Sequence, residues 1–98
     1  MIEAAGERQI DAFLSSHPDW KQQNGKLHRT FEFADFAQAF AFMTRVAQVA
    51  EQLDHHPDWR NVYKRVEVTL FTHEIGALSA RDFALAQKMD KLAAESTD

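Results

Sequence analysis

The chain has no cysteine, three glycines, two prolines and a single tyrosine among its 98 residues. Without thiols there is no disulfide framework, no thiolate zinc site and no cysteine nucleophile. Any chemistry must come from His, Asp, Glu, Tyr or Ser. A basic excess is also missing: eleven Lys and Arg against fifteen Asp and Glu leave a formal charge of −4, with the cations scattered rather than striped. Such a surface holds no field for a phosphate backbone, so no direct nucleic-acid partner is expected. No stretch approaches the run of roughly 18 apolar residues that spans a membrane. The opening MIEAAGERQI has neither the basic n-region nor the apolar h-region of a secretory signal. A cytoplasmic protein with no membrane partner is the expectation. The 45% hydrophobic and 27% charged content is that of a folded globule, and a chain this long makes one domain, 1–98, with room for one site.

What is there alternates between two periods. Ile10, Phe13 and Leu14 recur at helical spacing between Ala4 and Ser15, and Pro18 disfavours helix in the residue before it. Asn24-Gly25 is a two-residue hairpin signal, and beyond it Leu27, Arg29, Phe31 and Phe33 alternate with His28, Thr30 and Glu32. Trp20–Gln23 and Lys26–Phe33 therefore read as paired strands. Asp35, with Gln38 three residues on, predicts a helix N-terminus and a helix from Phe36 to Leu53. That helix carries two apolar rows, Phe36, Phe40, Met43, Ala47 and Ala50 in one and Phe42, Val46, Val49 and Leu53 in the other. An apolar set this wide predicts more than one packing partner, and hence association of subunits. Val66, Val68 and Leu70 next alternate with Arg65, Glu67, Thr69, Phe71 and His73, the aliphatic face turned to the core. Ser79 with Asp82, and Leu78 with Phe83, mark the start of a last helix. The order α-β-β-α-β-β-α predicts an α+β fold, a four-stranded antiparallel sheet with three helices on one face.

Both prolines and both tryptophans are spent on one repeated word, HPDW, at His17–Trp20 and His56–Trp59. Each copy stands where a helix gives way to strand, because proline stops the helix and tryptophan seals the corner. His17, in the first copy, reads as a surface residue. Only the second copy is preceded by another histidine, His55, and Glu51 stands four residues before it, where a carboxylate can orient an imidazole. His73 lies seventeen residues beyond His56. A reversal near Tyr63-Lys64 would set residue i opposite about 127 − i, by antiparallel pairing, and bring His73 beside Asp54 and His55. Tyr63 itself reads as a half-buried strand residue and Ser79 as a cap. Three readings of the histidines stand side by side: a helix terminus favouring cations, a zinc site that lacks HExxH spacing and a clear fourth ligand, and an acid–base centre.

Glu51-x-x-x-His55-His56-Pro57-x-Trp59, then Asn61-Val62-Tyr63, Val66-x-Val68-Thr69-Leu70-x-Thr72-His73 and Gly76-x-Leu78-Ser79-x-Arg81-Asp82, resemble the pterin-4a-carbinolamine dehydratases. The likeness extends upstream through Trp20, Gly25, Phe31-x-Phe33-x-Asp35-Phe36 and Phe40-x-Phe42-Met43-x-Arg45-Val46-Ala47. It implies a helix-on-sheet domain forming homodimers or homotetramers, with no metal and no cofactor. It also implies the reaction, loss of water from a 4a-hydroxytetrahydropterin to give the quinonoid dihydropterin, linked to an aromatic amino acid hydroxylase. The family's catalytic histidines fall on His55, His56 and His73. Its pterin contacts fall on His55–Pro57 and on Thr72, His73, Glu74 and Ile75, the last two expected through backbone. In that picture His55 and His73 move protons, His56 holds the polar edge of the pterin, Glu51 orients, and Trp59 forms an apolar wall. Two other readings follow from the same likeness: a non-catalytic dimerisation cofactor of a transcription factor, and another pterin-binding role such as one in molybdopterin metabolism.

Overall fold

The computed structural model describes residues 1–95, and residues 96–98 of the expected domain lie outside them. Helix α1 spans Glu7–Ser16, starting three residues later than its apolar spacing implies. Ala4 and Ala5 are taken by a different bond: Ala4 bridges Ser79 and the Ala5 N–H donates to Leu78 O at 2.8 Å. Strands β1 (Lys21–Gln23) and β2 (Lys26–Glu32) form the expected hairpin. Asn24 and Gly25, at φ 53° and 75°, supply the left-handed pair that its two-residue turn requires.

Helix α2 runs Phe36–Leu53 with the expected bounds, and Asp35 accepts the Gln38 N–H at 2.8 Å. Strands β3 (Asp58–Val62) and β4 (Arg65–Leu70) follow, then helix α3 (Ala80–Glu95). Ser79 caps α3, its Oγ accepting the Arg81 N–H at 3.2 Å while Asp82 Oδ2 accepts the Ser79 N–H at 3.0 Å. The fold is α+β, in the order α-β-β-α-β-β-α, with an antiparallel sheet ordered β1-β2-β4-β3. In the β3–β4 hairpin Asp58 faces Thr69 and Val62 faces Arg65, the register expected from a reversal at Tyr63-Lys64. Tyr63 is not a half-buried strand residue. It sits exposed at the corner with φ 53°, and Asn61 Nδ2 braces the turn by donating to the Tyr63 and Arg65 carbonyls at 3.0 Å each.

One face of the sheet is sealed. Leu27, Phe31, Val66, Val68 and Leu70 are buried with Phe42 and Val46 of α2 and Leu85 and Met89 of α3. The other face carries the half-exposed His28, Glu67 and Thr69. Among the described residues no helix is long and apolar enough to cross a membrane.

The first HPDW copy is a clamp between layers. Trp20 is 2% exposed and its Nε1–H donates to Asp90 Oδ1 of α3 at 2.8 Å. The same oxygen holds Arg29 of β2, whose guanidinium lies 4.2 Å from the Phe31 ring centroid. His17 is half-buried rather than a surface residue: its ring stacks on Phe13 at 4.2 Å and its Nδ1 donates to Phe13 O at 3.1 Å. Asp90 thus satisfies one buried donor and one half-buried donor. Replacing it by Ala leaves Trp20 without an acceptor and Arg29 with only the looser ion pair to Asp19 at 3.6 Å, and is expected to lower unfolding stability by about 2 kcal/mol. Trp20→Phe, which removes one donor and keeps an aromatic body, should lower it by about 1 kcal/mol. Urea denaturation of the two variants checks the order; an Asp90→Ala protein as stable as the parent would contradict the clamp.

Candidate active site

Helix α2 ends in a way that decides where both histidines of the second copy go. Asp54 takes the left-handed conformation at φ 51° and ψ 44°, a position that Asp tolerates better than most non-glycine residues. The His55 N–H returns to Ala50 O at 3.0 Å. His55 therefore leaves the helix surface and turns inward, 5% exposed, with Nε2 at 2.6 Å from Oδ1 of the fully buried Asp82. His56 turns outward, and its Nε2 donates to Glu51 Oε1 at 2.7 Å with both groups exposed. Glu51 therefore serves His56 and not His55. The four-residue spacing aligns side chains only while the helix continues, and the left-handed residue breaks it first.

The third histidine arrives from the opposite side of the hairpin. Beyond β4, residues 72–77 close a tight turn: the Thr72 and Ala77 N–H groups donate to each other's carbonyls at 3.1 and 3.4 Å, and the Gly76 N–H donates to His73 O at 3.2 Å. Gly76 has φ 61°, a backbone that a side chain would strain. His73 is exposed on this turn and meets the Phe71 ring edge-on at 5.2 Å, while Lys26 Nζ stands 5.0 Å from the centroid of that ring.

Asp54, His55, His56, Phe71, His73 and Glu74 line one hollow of about 150 Å³. All three histidines of the sequence reading meet there, together with Glu74. Glu51 reaches it only through His56. Pro57, Trp59, Thr72 and Ile75 are not among the lining residues. Trp59 stands opposite Val68 in β3 and packs against the core. Thr72 is fully buried and donates to Asp82 Oδ2 at 2.7 Å, and Ile75 is a half-buried member of the turn. Sequence reasoning missed Asp82 as a partner of His55, since Ser79-x-x-Asp82 is complete as a helix cap without it. It also missed Phe71, read only as an outward strand residue. Among the described residues no group of three or more His, Asp or Glu is placed to hold a metal ion. What the arrangement offers is imidazole nitrogens that can give or take a proton across a small gap.

Comparison with known proteins fits this geometry. Residues 3–92 match the family model described as pterin 4 alpha carbinolamine dehydratase. Two curated relatives, from Afipia carboxidovorans and Rhodospirillum rubrum, carry the name "Putative pterin-4-alpha-carbinolamine dehydratase". The first is 56% identical over 85 residues, covering 85% of each chain. The second is 48% identical over 94 residues, covering 94% of this chain and 98% of the relative. Among solved structures, a transcriptional coactivator/pterin dehydratase from Brucella melitensis superposes with a TM-score of 0.89 at 38% identity, over 93% of this chain and 99% of that one. A pterin dehydratase-like protein identified as a RuBisCO assembly factor in the alpha-carboxysome gives a TM-score of 0.62 at 27% identity, over 76% and 86% of the two chains. With nearly the whole chain matched and the fold shared, the protein belongs to the pterin 4 alpha carbinolamine dehydratase family.

Proposed function

We propose that this protein removes water from 4a-hydroxytetrahydropterin, yielding the quinonoid dihydropterin in the recycling of the tetrahydropterin used by aromatic amino acid hydroxylases. The observation that carries the reading is the meeting of His55, His56 and His73 on one hollow, from two segments that the β3–β4 hairpin brings together. Hydroxide is a poor leaving group near neutral pH. Elimination from carbon 4a therefore needs a proton delivered to that oxygen and another withdrawn from ring nitrogen N5. Imidazole does both near neutrality, and each well-placed acid or base contributes roughly 10²–10⁴-fold. His55 and His73 are assigned the proton transfers. His56, steadied by Glu51, holds the polar edge of the pterin. Phe71, which lines the hollow where Trp59 does not, supplies the apolar wall, and the backbone of the turn bearing Thr72, Glu74 and Ile75 completes the pterin contacts beside Pro57.

The non-catalytic alternative draws support from the names of the Brucella protein and the RuBisCO assembly factor. An intact histidine set favours catalysis. Replacing His55 or His73 by Ala is expected to lower turnover by on the order of 10²-fold or more, measured as the rate at which the 4a-hydroxy intermediate from a hydroxylase disappears. His17→Ala touches only the α1 corner and should leave the rate near that of the parent. Equal rates in the His17 and His73 variants would overturn the reading.

The same proposal includes a cytoplasmic homodimer or homotetramer. On α2, Phe36 and Phe40 are 48% and 54% exposed, and Arg45 is the one charged residue between Phe36 and Ala50. An outer face so poor in charge is matched by a second copy of itself. Light scattering at micromolar concentration is expected to give a multiple of 11.3 kDa, and a monomer mass would contradict it.

A further inference from the structure

We infer that a groove sharing Phe71 with the histidine hollow is a second subsite, which takes an uncharged substituent on carbon 6 of the pterin and makes Ile10 and Gln22 determinants of which pterin is bound. The subsite rests on the dehydratase reading above, which supplies the pterin.

The hollow shared by the three histidines holds about 150 Å³, half of the roughly 300 Å³ at which small-molecule sites begin. A bicyclic pterin fills it, so a bulky group carried by the pterin must lie elsewhere. The chemistry fixes where that group starts. Carbon 6 is bonded to N5, the nitrogen that gives up its proton, so a substituent there leaves the ring beside the reacting histidines. Phe71 stands among them, edge-on to His73 at 5.2 Å, and it also lines a second hollow of about 280 Å³. The turn at 72–77 joins the two. Its His73 and Glu74 line the first hollow, and its Gly76 and Ala77 line the second. Gly76 puts no side chain on that path, and a Cβ at its position would meet nothing within 4 Å.

The lining of the second hollow selects the substituent. Ile10, Ala77 and Leu78 give it apolar walls, while Gln22 and Asn24 bring neutral amides. Asn24 is held in place by the left-handed hairpin turn, at φ 53°. Among the described residues no charged side chain lines this hollow. A carboxylate or phosphate entering it would give up water with no cation to receive it. Lys26 stands over the Phe71 ring at 5.0 Å, outside the lining. An uncharged group the size of an aromatic ring meets both needs, its body against the apolar walls and any polar atom it bears against the amides.

The test is calorimetric binding of three 7,8-dihydropterins, which lack the 4a hydroxyl and do not react. They carry methyl, anilinomethyl or 4-carboxyanilinomethyl on carbon 6. Each is titrated into the parent, Gln22→Trp and Ile10→Phe. Gln22 is exposed, so its replacement narrows the groove without disturbing the core. The parent should bind the anilinomethyl pterin on the order of 10-fold or more tighter than the methyl one, and the added carboxylate should cancel that gain. Both variants should erase the preference. Equal binding of the methyl and anilinomethyl pterins by the parent overturns the inference. So does tighter binding of the carboxylated pterin than of the anilinomethyl one, or a preference that Gln22→Trp leaves intact. Turnover of the 6-methyl 4a-hydroxypterin separates the two readings. Turnover without the binding preference overturns the subsite alone. The expected preference, erased in the variants, from a protein with no turnover would uphold the subsite and overturn dehydration. No binding of any of the three pterins overturns both.

Discussion

A carboxylate cut off from water must find its donors inside the protein, and the way this is met at Asp82 governs the geometry around it. The full transfer penalty of such a group is many kcal/mol, so every lone pair left empty is expensive. Three donors from three places answer it. Ser79 belongs to the start of α3, Thr72 to the turn after β4, and His55 to the chain just past α2. None can shift without uncovering a lone pair. The site inherits its rigidity from a solvation constraint.

The two HPDW copies show how one local solution is put to different ends. In both, proline follows the end of a helix and tryptophan is drawn toward the core. At the first, the tryptophan donor is captured by Asp90, and the histidine folds back on Phe13. At the second, three residues instead of one separate the helix end from the proline, and the left-handed Asp54 among them splits the histidine pair: His55 inward to a buried acid, His56 outward to an exposed one. Both histidines nevertheless line a common hollow.

Most of the fold was legible because its signals are local and redundant. Alternation marked β2 and β4, Asp35 with Gln38 placed the start of α2 at the residue where it begins, and antiparallel arithmetic about Tyr63-Lys64 yielded the β3–β4 register. The misses share a cause. The start of α1 was misplaced because Ala4 and Ala5 pair with a segment more than seventy residues away. Glu51 was joined to His55 because helical spacing says nothing about a left-handed residue between them. Asp82 was passed over because its cap role already accounted for it, and a second role for one carboxylate leaves no mark on spacing. Partnerships made across elements are written in the packing, which a linear pattern does not carry.

The sheet order places β4 between β2 and β3, and this separates two pairings by the length of chain each must close. Val62 meets Arg65 across two residues, whereas Glu32 meets Arg65 across 32. Four doublings of loop length make the longer closure costlier by about 2.4 kcal/mol in chain entropy. The pairing that carries His55 and His73 toward each other is thus the short one, and the two histidine-bearing segments need no distant strand to meet. In the unfolded ensemble, the neighbourhood of the future site shares with the β1–β2 hairpin the smallest chain-entropy cost of closure in the sheet.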